Sequence, residues 1–122
     1  MSEEGKTISA AFFATAQGNE PVRTWLKEEL TLEQRKAVGT DVKAVEFGWP
    51  MGMPKVRKLE PELWEVRTRF KDGIARVLFS VVDDKMVLLH GFFKTRQKTR
   101  EEDLETARKR LRVYKEQKGA QQ

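Results

Sequence analysis

The sequence predicts an α+β fold: a three-stranded antiparallel meander at mid-chain, with a strand and a helical hairpin before it and one helix after it. Three observations carry this. Residues 63–69 alternate, with Trp64, Val66 and Thr68 on one side and Glu65, Arg67 and Arg69 on the other, as in a half-buried strand. Asp72-Gly73 and Asp83-Asp84-Lys85 are tight-turn signals that bound two further apolar runs, 74–82 and 86–93. Outside the meander, apolar residues recur at intervals of three and four, the spacing of a helix face.

Taken in order, residues 8–14 are short, small and apolar and predict an edge strand. Asn19 is placed to cap a helix whose first turn holds Pro21, where a missing N–H costs little. Val22, Trp25, Leu26 and Leu30 form one face of it. Thr31-Leu32-Glu33-Gln34 has the form of a capping box and opens a second helix, which Leu32, Val38, Val42 and Val45 carry to about Glu46. Residues 47–54 hold two glycines and two prolines and read as a loop whose Trp49, Met51 and Met53 pack over a sheet edge. Lys55, Arg57 and Lys58 place three cations ahead of the meander. The run 74–82 is apolar on both faces except for Arg76 and Ser80, so it is the central strand. Thr99-Arg100-Glu101-Glu102 is a second capping box. The helix it opens presents Leu104, Ala107, Leu111 and Tyr114 as one stripe and ends near Lys118. This gives one domain over residues 1–118 and a disordered tail over 119–122.

With 122 residues the chain has enough length for one core. It contains no cysteine and one histidine, so thiolate chemistry, disulfides and multi-histidine metal sites are excluded, and neither cofactor nor metal is expected. No apolar run reaches the roughly 18 residues of a membrane span, and the N-terminal stretch makes a poor signal peptide. A cytoplasmic protein without membrane attachment is therefore expected. The net charge of +5 is unevenly spread. Residues 1–50 carry 6 cations against 8 anions, residues 51–93 carry 8 against 6, and residues 94–122 carry 10 against 5. A basic surplus on the meander and beyond it points to nucleic acid or another polyanion.

The residue types left for chemistry are arginine and lysine. Guanidinium groups stay charged and bind phosphate bidentately. A positioned set can stabilise the extra charge of a pentacoordinate phosphorus without a metal, and RNA supplies its own nucleophile in the 2′-hydroxyl. Arg67 and Arg76 lie on neighbouring strands, and Lys94 and Arg96 follow the third, so these four are the candidate catalytic residues. Lys55, Arg57, Lys58 and Lys98 are candidate RNA contacts. Glu65 and His90 are the candidates for proton transfer. Glu65 serves equally as a salt-bridge partner for Arg67 or Arg76. His90 shares the parity of Met86, Leu88 and Phe92 and reads first as a hydrogen-bonded core or rim histidine. Arg76, alone on an apolar strand, is expected to be replaceable by alanine without loss of the fold.

Three runs carry a family resemblance: Leu63-Trp64-Glu65-Val66-Arg67, Gly73-Ile74-Ala75-Arg76-Val77-Leu78-Phe79, and Leu88-Leu89-His90-Gly91-Phe92-Phe93-Lys94 closing on Gln97-Lys98-Thr99. With the Glu102, Ala107 and Arg110 helix, they resemble the phage-derived HigB-like branch of the RelE/ParE toxin superfamily. The first fifty residues match only in their two-helix layout. The resemblance implies a RelE-like fold and a type II toxin–antitoxin toxin. It implies a metal-independent, ribosome-dependent endoribonuclease that cuts mRNA and leaves a 2′,3′-cyclic phosphate. A small helix-turn-helix antitoxin would neutralise it in a hetero-oligomeric complex. Arg76 matches the family's phosphate-stabilising arginine, Arg67 a basic position on the preceding strand, and Lys94 and Arg96 the basic segment after the last strand. Glu65 stands where some relatives carry a lysine. Two other activities fit the same layout: ParE-like, non-enzymatic inhibition of DNA gyrase, and a non-toxic module that binds nucleic acid or protein.

Overall fold

The computed structural model describes residues 5–94 and 100–120. The element order is β1 (Ser9–Phe12), α1 (Pro21–Glu29), α2 (Leu32–Gly48), β2 (Val56–Glu60), β3 (Leu63–Phe70), β4 (Gly73–Val82), β5 (Lys85–Lys94) and α3 (Glu101–Ala120). The strands form one five-stranded sheet in the order β1-β5-β4-β3-β2. β1 joins its edge parallel to β5, and all other pairings are antiparallel. The α+β class, edge strand, helical hairpin and C-terminal helix are as the sequence predicts.

The meander has four strands, not three. The cationic stretch before it is the edge strand β2, which the sequence concealed because only Val56 of its first three residues is buried while Arg57 and Lys58 face solvent. A register shift between Lys58 and Glu60 shortens the alternation further. Boundaries also move. α1 begins on Glu20 without a side-chain cap. Asn19 instead closes the preceding loop, donating its N–H to Thr15 Oγ1 at 3.1 Å and accepting from Thr15 N at 2.8 Å. The Thr31 capping box forms, with Thr31 Oγ1 accepting from Gln34 N and Gln34 Oε1 accepting from Thr31 N. α2 continues to Gly48 and α3 to Ala120, past their expected ends. Thr99, the cap expected for α3, lies outside the described residues.

The two faces of the sheet bury separate cores. Against α1 and α2 lie Val66, Val77, Phe79, Met86 and Leu88, packed with Val22, Leu30, Val38 and Val45. Against α3 lie Leu63, Leu78, Val87 and Leu89, packed with Ala107 and Leu111. Trp49 and Met51 belong to the first core, as expected. The Trp49 ring stands edge-on to Trp64 at 5.0 Å and to Phe79 at 5.7 Å. Met53 does not pack away and remains exposed.

A bulge in β5 sets which side chains meet α3. Leu78 pairs with His90 and Phe79 with Leu88, so Leu89 is the extra residue. Up to Leu88 the even positions face the helical hairpin, but beyond the bulge His90 and Phe92 face α3. The shared parity of His90 with Met86 and Leu88 therefore misleads: one inserted residue moves His90 to the opposite face. The same shift directs Gly91 at the hairpin, where Trp25 packs directly on its backbone. A Cβ at Gly91 would lie 2.4 Å from Trp25 Cε3. Gly91→Ala is therefore expected to cost about 1–3 kcal/mol by overpacking, read as a lower urea midpoint. A midpoint equal to that of the parent would show that the Trp25 contact is not tight.

Ion pairs tie α3 to the sheet edge and turns. Arg108 meets the Glu60 carboxylate at 2.8 and 2.6 Å and Glu101 at 2.6 Å, and Lys115 reaches Glu62 at 2.7 Å. The hydrogen bond from Arg108 holds the Glu60 carboxyl below its usual range. A depressed carboxyl pKa stabilises the fold above the unfolded-state value and loses that contribution as pH falls through the folded-state value. Acid unfolding below about pH 4.3 is thus expected to be less steep in Glu60→Gln. The difference is at most about 1 kcal/mol, because the pair is partly solvated. Identical acid titrations of parent and variant would exclude the linkage.

Candidate functional site: an arginine-rich sheet face

α3 covers only part of its face of the sheet. On the remainder, towards the β3–β4 turn, stand Arg57 on β2, Glu65, Arg67 and Arg69 on β3, and Arg76 on β4. Alternation along β3 puts Glu65, Arg67 and Arg69 on this side. Register brings Arg57 opposite Glu65 and Arg67 opposite Arg76. Like charges directly opposed across a sheet repel, and Glu65 offsets this. Its Oε1 accepts from Arg76 Nη1 at 2.7 Å and lies 3.8 Å from Arg67 Nε. The side chains of Glu65 and Arg76 are both 0 % exposed.

Four guanidiniums surround this one carboxylate, so the face keeps a surplus of positive charge. The strain falls on Arg67, whose side chain is 4 % exposed. Burial first, then the neighbouring charge of Arg76, lowers its pKa; Arg69 and Arg57 act in the same direction and Glu65 opposes them. Arg67 Nε is buried without a hydrogen-bond partner among the described residues, and Nη1 finds only the sulfur of Met53, at 4.0 Å. A buried guanidinium with spare donors among like charges has the character of an anion site awaiting its anion.

The other nominated residues are dispersed. Arg57 joins the arginine face and is exposed. Lys55 is bound to Asp41 of α2. Lys58 projects to the opposite face, with its Nζ 5.6 Å from the centre of the Trp64 ring. β5 carries the Lys94 backbone opposite Ile74. The Lys94 side chain, Arg96 and Lys98 lie outside the described residues. The candidate RNA contacts thus do not form one described surface.

His90 is hydrogen-bonded through both ring nitrogens. Nε2 lies 2.8 Å from Asp103 Oδ1, and Nδ1 lies 3.5 Å from Arg110 Nη1. Arginine only donates, so Nδ1 is the acceptor and Nε2 carries the proton to Asp103. Arg110 also donates to the Leu89 carbonyl at 2.8 Å, and burial lowers its pKa. His90 therefore joins β5 to the start of α3, in keeping with the rim reading. Glu65, enclosed and bonded to Arg76, orients its neighbours. Sequence reasoning missed Arg69 and Met53 as members of the site. Arg69 was legible in the alternation that exposed Arg67; nothing in the sequence marked the contact of Met53 with Arg67.

Among the described residues no group of three or more histidine, cysteine, aspartate or glutamate side chains could hold a metal ion. No described helix is long and apolar enough to cross a membrane.

A helical hairpin on one face of a five-stranded mixed sheet, with a C-terminal helix on the other, is consistent with a RelE-like fold. The family model described as phage derived protein Gp49-like (DUF891) matches residues 25–112, from α1 to well inside α3. The chain belongs to this family, which is part of the RelE/HigB-like toxin superfamily. No curated protein matches it.

Proposed function

We propose that this protein is the toxin of a type II toxin–antitoxin pair, of the HigB-like kind, and that it is an endoribonuclease acting on mRNA in the ribosome. The observation that carries this reading is the arginine face, where Arg57, Arg67, Arg69 and Arg76 surround a single Glu65 and Arg67 retains unused donors. Such a face binds a phosphodiester and stabilises the charge that grows on it as the 2′-hydroxyl attacks phosphorus. In this scheme Arg67, Arg69 and Arg57 meet phosphate. Arg76 and Glu65 form the enclosed pair that aims them, and Lys94 and Arg96 extend the cationic path. The partner is a helix-turn-helix antitoxin. The groove beside α1, about 1070 Å³ with Trp25 and Phe93 in its wall, is lined by Glu28, Glu29 and Asp72. Its charge repels RNA and suits a basic segment of that antitoxin.

The group that moves protons is not among the exposed described side chains, since His90 and Glu65 are both engaged. Ribosomal RNA would then complete the in-line geometry. Purified protein is accordingly expected to cut naked RNA poorly and translated mRNA well. Equal cleavage with and without ribosomes would contradict this. The engagement of both proton-transfer candidates also favours one competitor, a non-catalytic inhibitor of DNA gyrase on the same fold. Induced expression with mapping of cellular RNA 5′ ends separates the two. New 5′-hydroxyl ends within translated frames are expected; altered plasmid supercoiling without such ends would overturn the ribonuclease reading.

A further inference from the structure

Met53 is the one large apolar side chain of the 49–55 loop left in water, 59 % exposed, while Met51 packs into the hairpin core and Met86 is 0 % exposed. Its sulfur is nevertheless engaged, 4.0 Å from Nη1 of Arg67. A thioether is a poor acceptor, and methionine turns freely about three side-chain bonds. Met53 is therefore a loosely held cover over a buried arginine that has spare donors.

We propose that Met53 is a redox modification site whose sulfoxide latches that cover. The oxidant is a hydroperoxide. The sulfur lone pair attacks the outer peroxide oxygen, the O–O bond breaks, the S–O bond forms, and the departing hydroxide takes up a proton to leave as water. Sulfur is oxidised by two electrons and the peroxide is reduced by two. The product oxygen carries substantial negative charge at the end of a bond already directed at Arg67, and accepts a charge-assisted hydrogen bond from Nη1. Arg67 then has its donor occupied from within the chain, and an incoming phosphate must displace that bond. Methionine sulfoxide reductases reverse the change. The effect on RNA rests on the ribonuclease reading; the latch itself does not.

Protein treated with dilute hydrogen peroxide, mapped by peptide mass and followed by the Arg67 side-chain NMR signal, tests both. A short oligouridylate serves as the binding probe. Met53 is expected to oxidise before Met51 and Met86, and the Arg67 signal to move with it. Oligouridylate affinity should fall roughly tenfold, the worth of one charge-assisted hydrogen bond to be displaced. Met53→Leu should bind the probe as the untreated parent does and lose nothing on peroxide treatment. An Arg67 signal unmoved by Met53 oxidation overturns the latch, and so does undiminished probe binding by the oxidised protein. A signal that moves in a protein whose reduced form never binds the probe upholds the latch and fails the ribonuclease reading instead.

Discussion

Arg76→Ala is expected to destabilise the fold by about 3–5 kcal/mol, the usual cost of stranding one partner of a buried ion pair. The guanidinium and Glu65 are both 0 % exposed and 2.7 Å apart, and alanine would leave the carboxylate enclosed with only Arg67, at 3.8 Å, to compensate it. Domains of this size have about 5–15 kcal/mol in total, so a large part of the protein would be unfolded in the cell. This overturns the expectation from sequence that Arg76 could be removed with the fold intact. Growth inhibition lost in Arg76→Ala is uninformative until the folded fraction is matched. Replacing both partners, Glu65→Leu with Arg76→Met, removes the stranded charge and should recover most of the loss, giving a double-mutant coupling well above 1 kcal/mol in urea unfolding. A single Arg76→Ala variant that unfolds within about 0.5 kcal/mol of the parent would mean that this pair does not hold the sheet face together.

That reversal shows where the sequence was readable. Alternation at 63–69 and the two turns located β3, β4 and β5, because each strand has enough buried positions to repeat the pattern. β2 escaped because it has only one buried residue before its register shift. The cations of the site were legible as cations, but their surroundings were not. Arg76 on an apolar strand is compatible with a phosphate ligand or with a buried counter-ion. The choice depends on whether Glu65, eleven residues earlier, lands across from it, which is a matter of register. His90 failed more sharply, since the bulge at Leu89 inverts the face of everything after it and leaves no mark in the residue types.

Arg67→Met is expected to leave stability unchanged or raise it by about 1 kcal/mol, while growth inhibition and transcript cleavage fall roughly a hundredfold. The two effects have one cause. Arg67 is buried among like charges, with its pKa pulled down by burial and by Arg76, and its Nε has no partner among the described residues. Nothing is stranded when its charge is removed, because Glu65 keeps Arg76 at 2.7 Å. The β3 ladder is also untouched, since the bond from Arg67 to the Lys55 carbonyl comes from the backbone N–H. Methionine matches the length of the arginine stem and fills the space beside Met53. An arginine that costs the fold stability and whose donors are unused within it is retained for a ligand it meets from outside. A structural arginine would behave in the opposite way, with stability lost and toxicity kept at equal folded concentration. The decisive pair of measurements is therefore the urea midpoint and the yield of 5′-hydroxyl mRNA ends in the same variant. If Arg67→Met unfolds more readily than the parent and still cuts at the parental rate, the arginine face is scaffolding and the phosphate site lies elsewhere.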